Sequence, residues 1–219
     1  MTKEKMLKKI TLFALVVTSA VCAQIHVGAR VAANWGSSWG EDAKEATWEP
    51  GFNAGVAAKV DILPLITIVS GLDVDYRRMG AEEDFSEGYN NFHRNQIQRL
   101  WYLDVPVLAR FNIIPLVYVD AGFVFGLNLS SDLYYEETGT SMKTGHSEKV
   151  SDDLDYSRIT NTLVWGVSVG AGFSVLPSVM DVDFRIIMGL NSYMKEDDEG
   201  YDTTVRHLHM QLGVAFWFL

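Results

Sequence analysis

HLHMQLGVAFWFL, residues 207–219, contains two rows of side chains with opposite character. One row is apolar throughout: Leu208, Met210, Leu212, Val214, Phe216 and Phe218. The other is polar or small until its last member: His207, His209, Gln211, Gly213, Ala215 and Trp217. Alternation with a period of two predicts a β-strand whose two faces meet different environments. The environment of the apolar face therefore determines the class of fold.

The same alternation recurs seven more times along the chain, so the sequence predicts eight strands. The eight segments are residues 25–34, 52–62, 66–77, 101–111, 117–128, 162–173, 182–191 and 207–219. Short links follow every second strand, around 63–64, 112–115 and 176–178. Long polar segments, expected to be loops, follow the others at 36–50, 79–97, 130–158 and 192–203. An even number of strands with short turns on one rim and long loops on the other is typical of a bacterial outer-membrane barrel.

A soluble eight-stranded barrel such as a lipocalin also alternates, and two observations favour the membrane barrel. The non-apolar rows are rich in glycine, alanine and serine, which suits the narrow interior of an eight-stranded barrel better than a solvated wall. Trp101 and Phe111 share one face ten residues apart, which is roughly 33 Å along a strand. At a tilt of about 40° this projects to about 25 Å, the height of a lipid-facing band.

The barrel must have no open edge, because unpaired backbone groups in lipid are costly. The last strand is therefore expected to pair with the first, with its apolar row facing acyl chains. We expect the wall to carry an aromatic girdle formed by Trp101, Phe111, Phe173, Phe216 and Phe218. The fold class expected is all-β: an eight-stranded antiparallel up-and-down transmembrane β-barrel.

The N-terminal segment predicts export. Residues 1–23 combine four early lysines, an apolar run from Ile10 to Val21 and small residues up to Ala23, which is the layout of a secretory signal peptide. The barrel domain is then residues 24–219. Cys22 is the only cysteine, and a lipidated Cys22 is the alternative to its removal with the signal. The apolar run is too short for a spanning helix, which needs roughly 20 residues.

The charge of the mature chain excludes one class of partner. Without residues 1–23 the chain has 14 basic and 27 acidic residues, a net charge near −13. We expect no nucleic-acid partner, because phosphate binding favours a basic patch. Outer-membrane lipid is the expected partner, the expected state is a monomer, and no cofactor or metal is expected.

Three segments carry a family resemblance: YLDVPVLARF at 102–111, VDFRIIMGLN at 182–191 and the aromatic C-terminal strand. They resemble the small outer-membrane barrel family that includes PorT-type proteins, whose architecture OmpA and OmpX barrels share. The likeness spans the whole mature chain. It implies architecture far more specifically than function, since members are linked to secretion, adhesion and envelope integrity. The ending Phe218-Leu219 departs from the terminal phenylalanine of the usual assembly signal.

Two motifs suggest chemistry, and each has a simpler interpretation. Residues 166–170 match the G-x-S-x-G pattern of hydrolases, but that chemistry needs a strand-to-helix elbow and the motif lies within an alternating strand. His207 and His209 share a face and would form half of a metal site, yet no further ligand is evident from spacing. We therefore expect no catalytic residues, and a rim enzyme stays open as an alternative.

Charged residues on the inward rows predict a filled lumen. Both signs are present, and burial in so narrow a space demands pairing. The expected ion-pair network consists of Arg30, Lys59, Asp73, Asp104, Arg110, Asp120, Asp183 and Arg185. Arg110 and Asp120 flank the 112–115 turn and are expected to be close across that hairpin. The network indicates a plug rather than a pore, with a small-solute channel as the alternative.

The long segments predict where the protein meets other molecules. They are acidic, as in Glu82, Glu83 and Asp84, and the run 195–200 lacks the spaced ligands of an EF-hand loop. Segments 79–97 and 130–158 also contain exposed-type aromatics and are the expected contact regions for a protein partner. The sequence thus predicts a non-enzymatic envelope barrel with a structural or loop-mediated role, in adhesion or secretion.

Overall fold

β-Strands account for most of the protein in the computed structural model, which describes residues 24–43, 45–63, 65–141, 143–144, 146–195 and 204–218. The strands are β1 (Ile25–Trp39), β2 (Ala46–Thr47), β3 (Glu49–Leu63), β4 (Ile66–Glu87), β5 (Asn90–Ile114), β6 (Val117–Ser141), β7 (Ser147–Asp155), β8 (Leu163–Leu176), β9 (Met180–Gly189) and β10 (Arg206–Trp217). Within these ranges no helix is long and apolar enough to cross a membrane.

Eight of the strands close into a ring. The order is β1-β3-β4-β5-β6-β8-β9-β10, and β10 returns to β1, with every neighbouring pair antiparallel. The closing pair runs from Gly28 opposite Trp217 to Trp39 opposite Arg206. The predicted pairing of the last strand with the first is confirmed, and the antiparallel barrel has the predicted number of strands.

The side chains alternate between the two faces as the sequence rows predict. Val169 is 62% exposed, whereas its neighbour Ser168 is 1% exposed. Val56 and Ala57 on β3 differ in the same way, at 58% and 6%. The apolar rows thus cover the outside of the barrel, and the polar or small rows fill its lumen.

The connections between strands are short on one rim of the barrel and long on the other, as predicted. On one rim, here called the short-turn rim, consecutive strands are joined within 63–66, 114–117 and 176–180. On the other, the long-strand rim, β4, β5 and β6 continue well beyond the ring. Residues 196–203 and the predicted signal peptide, 1–23, lie outside the described residues, so the acidic run 196–199 and Cys22 do too.

The prediction that segments 79–97 and 130–158 are loops is wrong for most of their length. β4 and β5 continue to a tight turn at Gly88, which has a positive φ of 61°. β6 continues to Ser141, and β7 then pairs back along it from Thr140–Ser147 to Asp132–Asp155. Segment 36–50 is likewise shortened by the end of β1, the two-residue β2 and the start of β3. The extended parts of β4, β5 and β6 with β7 form what we call the protruding sheet.

Candidate functional site

The lumen contains all eight residues of the predicted ion-pair network, and each is buried. Their exposed fractions do not exceed 9%: Arg30, Lys59, Asp73, Asp104, Arg110, Asp120, Asp183 and Arg185. Three further charged residues, Asp75, Arg77 and Asp181, are buried with them. The complete set has five cations and six carboxylates, so the lumen holds nearly balanced charge.

Asp181 organises the end of the lumen nearest the short-turn rim. Its carboxylate accepts hydrogen bonds from Arg110 at 2.8 Å, Trp217 Nε1 at 2.9 Å and Ser174 Oγ at 2.7 Å. Lys59 Nζ lies 3.8 Å away, and 4.3 Å above the Trp217 ring. Several strands are thereby tied together through one buried carboxylate. The sequence rows do not include Asp181, because it stands one residue before the alternating run that begins at Val182.

Arg110, Asp120, Arg185, Asp183 and Arg30 form a chain of alternating charge across the middle of the lumen. Arg110 and Asp120 are direct cross-strand partners, with Nη2 and Oδ2 3.6 Å apart, as the hairpin spacing predicts. Arg185 lies 3.6 Å from Asp120 and 3.2 Å from Asp183. Arg30 completes the chain with a 2.7 Å contact to Asp183. Opposite charges thus neighbour one another at every step.

A second cluster lies nearer the long-strand rim and centres on Arg77. Arg77 donates to Asp75 at 2.8 Å and also contacts Asp104, while its guanidinium lies 4.4 Å from the Tyr102 ring centroid. Asn34 donates a 2.6 Å hydrogen bond to the same Asp75. Asp73, in contrast, is buried between the clusters but forms no ion pair with any described residue. The two predicted carboxylates Asp73 and Asp104 therefore have different surroundings.

Glycines on the inward rows give the charged side chains room to lie across the lumen. A Cβ at Gly213 would come within 2.5 Å of Arg30 Nη2, and one at Gly170 within 2.6 Å of Asp120 Oδ1. Real Cβ atoms essentially never show such contacts. The ion pairs at Arg30 and Asp120 therefore need glycine at these inward positions, because a larger residue would collide with the charged side chains.

An apolar layer closes the lumen toward the long-strand rim. It consists of Met79, Leu100, Tyr102, Val164, Tyr193 and Val205. His207 packs against this layer, stacked 4.5 Å from Tyr193 and hydrogen-bonded at 3.0 Å to Tyr102 Oη. Above it an open cavity of about 360 Å³ faces outward, lined by residues such as Asp42, Glu83 and Arg94.

Two small cavities lie among the lumen side chains. One, beside Arg30, Asp73 and Arg185, has about 10 Å³, and the other, beside His207 and His209, has about the same volume. A volume of roughly 10–15 Å³ holds a single water molecule. The geometry of the lumen is that of packed side chains, without a wide water-filled path through these cavities.

The two motifs that suggested chemistry are placed within the wall. Ser168 lies inside strand β8, with a buried hydroxyl that has no hydrogen-bond partner in the described structure. His207 is engaged by Tyr102, and His209 Nε2 lies 3.9 Å from Asp75. Across the described ranges, no group of three or more His, Cys, Asp or Glu side chains would hold a metal ion.

Aromatic side chains mark two levels on the outer wall. Phe111, Phe173, Phe216 and Phe218, which belong to the predicted girdle, lie toward the short-turn rim and are all at least 44% exposed. Trp101 lies toward the opposite rim, where it packs with Phe52 and Tyr76 at centroid distances of 5.7 and 4.7 Å. Trp35 and Trp165 are exposed on the outer row as well. Sequence reasoning missed Phe52, Tyr76, Trp35 and Trp165 as members of the aromatic levels, although parity already placed Phe52, Tyr76 and Trp165 on the outer row.

The protruding sheet is polar on both faces. On one face Glu136 contacts Lys149 at 3.0 Å and Tyr134 at 2.9 Å, and the lysine and this tyrosine hold the pKa of Glu136 below its ordinary value. On the other face Glu137 accepts hydrogen bonds from Tyr135 and Arg94, which lower its pKa in the same way. The outer edge of this sheet is β7, whose nine residues are all exposed.

A closed eight-stranded barrel with an apolar outer wall, aromatic levels and a charged, filled lumen is the architecture of small outer-membrane β-barrel proteins. Residues 19–195 match the model of the family described as outer membrane protein beta-barrel domain, which is most of the chain. The chain therefore belongs to that family and is a bacterial outer-membrane protein. The narrower PorT-type assignment stays a prediction.

Several solved structures are similar to this chain. The attachment invasion locus protein Ail of Yersinia pestis is 12% identical, with 89% of this chain and 99% of that chain covered and a TM-score of 0.40. CarO2 of Acinetobacter baumannii is 13% identical, with coverage of 89% and 100% and a TM-score of 0.41. Neisserial surface protein A is 14% identical, with coverage of 90% and 99% and a TM-score of 0.38. The search of curated protein sequences found no match.

Proposed function

We propose that this protein is a non-enzymatic, non-conducting outer-membrane barrel that presents the protruding sheet to a protein partner outside the cell. The observation that carries the proposal is the continuation of β4, β5 and β6 beyond the wall. β5 alone extends eleven residues beyond Trp101, to Asn90, which is about 35 Å along the strand. A hydrogen-bonded sheet of this length is a rigid platform, whereas a loop of the same length would have to be ordered on binding.

The filled lumen supports the non-conducting part of the proposal. An eight-stranded barrel has an interior just wide enough for side chains. Here eleven charged side chains and the apolar layer occupy it, and each of the two small cavities beside them has room for about one water. Conduction would require several buried ion pairs to separate together, which costs several kcal/mol for each desolvated charge.

The edge and faces of the protruding sheet support the interaction part. Among the residues that the structure describes, β7 pairs only with β6, so the outer edge of β7 offers unpaired backbone groups to an extended segment of a partner. Tyr134, Val150 and Leu154 on or beside this edge provide partly exposed ring and aliphatic surface, at 58% for Val150 and 46% for Leu154. Acidic residues of β7 such as Asp152 and Asp153 favour a partner surface of positive charge.

Two measurements on the full chain test these two parts. In planar bilayers the purified protein is expected to give no steady single-channel conductance; stable channels would replace the non-conducting barrel by the channel alternative. In intact cells, a photo-cross-linking residue placed at Val150 is expected to yield a discrete protein adduct. The same residue at Val169, which faces lipid, is the matched control. Absence of protein adducts at Val150, or equal adducts at both positions, would contradict the interaction role.

A further inference from the structure

Two arginines lie directly opposite each other on the outer face of the wall. Arg78 of β4 and Arg99 of β5 are cross-strand partners in the register that also pairs Tyr76 with Trp101. Because side chains alternate along a strand, Arg78 and Arg99 point to the same outer face as those two aromatic rings. Directly opposed side chains have Cβ atoms roughly 5 Å apart, so the two arginines leave the wall side by side, with Arg78 reaching toward Glu49 and Arg99 toward Asp153.

Their height places this pair at the surface of the outer leaflet. Each arginine is two residues beyond an aromatic residue, which is about 5 Å above the rings after correction for strand tilt. The rings form a continuous cluster in which Phe52, Tyr76 and Trp101 contact one another. Aromatic side chains mark the interface between acyl chains and headgroups. Arg78 and Arg99 therefore lie at the level of the lipid phosphates.

Protein contacts leave much of this pair's binding capacity unused. Like charges directly opposite each other are unfavourable. Arg78 lies 3.1 Å from Glu49. Arg99 donates to Asp153 at 3.4 Å, a weak contact to a carboxylate that is 62% exposed, and lies 5.1 Å from the Tyr134 ring centroid. Each guanidinium has five N–H donors, so several stay free for a ligand.

We propose that Arg78 and Arg99 together bind a phosphate group of an anionic lipid in the outer leaflet. A phosphate bound between the two side chains would draw both guanidinium groups toward it, since planar N–H pairs match its oxygens and a dianion relieves the repulsion between the cations. The flanking rings would seat the attached acyl chains beneath the phosphate. The site anchors the base of the protruding sheet to the membrane surface and is independent of any protein partner.

Lipid retention by the full-length barrel tests this site. The protein is assembled in phosphatidylcholine nanodiscs that contain a minor fraction of bisphosphorylated lipid A, and retained lipid is counted by native mass spectrometry. Wild type is expected to retain phosphorylated lipid A and to discriminate against a dephosphorylated preparation. Arg78→Gln with Arg99→Gln is expected to weaken retention by about tenfold for each arginine, the effect of losing a charge-assisted hydrogen bond.

Matched variants and competitors distinguish this site from nonspecific retention of lipid. Arg94→Gln with Lys149→Gln removes the same charge from the protruding sheet and is expected to leave retention unchanged. If the double variant fails to assemble, Arg99→Gln alone, which keeps the Arg78–Glu49 pair, replaces it. Equal retention by the arginine variant and wild type would overturn the proposal, as would equal retention of dephosphorylated lipid A. Displacement of the lipid by millimolar inorganic phosphate would also overturn it, because the site would then recognise free phosphate.

Discussion

Trp217 donates a 2.9 Å hydrogen bond from its indole Nε1 to the buried carboxylate of Asp181. This contact explains why the inward row of the C-terminal strand, otherwise polar or small, includes one large ring. The ring fills the end of the lumen, lies under Lys59 and contributes a donor to the carboxylate that also binds Arg110. The last strand is therefore joined to the rest of the barrel by two kinds of contact: its backbone pairs with β1, and its Trp217 side chain bonds to Asp181.

Asp181→Asn should destabilise the barrel by about 3–5 kcal/mol, the cost of breaking a buried ion pair from one side. The substitution leaves Arg110 and Lys59 next to a neutral amide in a region with little water. Trp217→Phe is the matched control, since it removes one hydrogen bond to the same carboxylate and should cost about 1.5–3 kcal/mol. Urea unfolding in lipid vesicles measures both. A loss below about 1 kcal/mol for Asp181→Asn would indicate a solvated lumen end.

Val169→Arg should impair insertion, because it places a charge on the lipid-facing wall near the membrane centre at a cost of about 2–4 kcal/mol. Val169 is 62% exposed and pairs with Ala121 and Ile186, both on the outer row. Val169→Leu at the same position should assemble like wild type. The folded fraction, read from the heat-dependent gel shift of the barrel, is the measurement. Equal assembly of the two variants would mean that this face of β8 does not meet lipid.

The barrel can be predicted from the sequence because lipid and lumen impose opposite demands on neighbouring residues. That contrast produces the period-two rows. The rows end where the strands leave the membrane, because there both faces meet water. In the protruding sheet both faces meet water, so polar residues such as Glu83, Arg94 and Glu136 occur on both faces. The apolar–polar alternation is therefore lost there, and the sequence indicates loops. Backbone hydrogen bonds and cross-strand pairs, which side-chain pattern does not reveal, hold this part of β4, β5 and β6 extended.

Parity predicts which charges lie in the lumen, but it does not predict their partners. Arg110 and Asp120 are the exception, because a short hairpin fixes which residues oppose each other. Arg30 and Asp183 are 153 positions apart in sequence and meet only across the lumen. Such a pairing depends on the stagger of all eight strands. Parity also places Arg77 and Asp75 in the lumen, but nothing in the sequence indicates that they form a separate cluster.

His93 should titrate above its usual pKa of about 6.5. Its Nδ1 lies 2.8 Å from Asp84 at the tip of the β4–β5 hairpin, and this hydrogen bond raises the pKa of the imidazole. Because the pKa is raised in the folded state, the contact is fully present below about pH 6.5 and is lost as pH rises through the higher folded value. Asp84→Asn should return the pKa to its usual range. Imidazole chemical shifts measured against pH give both values, and equal pKa values in the two proteins would contradict the contact.

A disulfide should form between β6 and β7 when Thr138→Cys and Lys149→Cys are combined. These positions are direct cross-strand partners, so their Cβ atoms point to the same face at a distance that a disulfide spans. Thr138→Cys with Val150→Cys is the control, because Val150 opposes Glu137 and its side chain points to the other face. Both pairs are introduced with Cys22→Ser, since Cys22 is the only natural cysteine. Faster migration of the oxidised, unheated barrel, reversed by reductant, reports the cross-link. Equal cross-linking of the two pairs would mean that segment 130–158 samples many conformations, as a loop would, and that the protruding sheet is not a fixed surface.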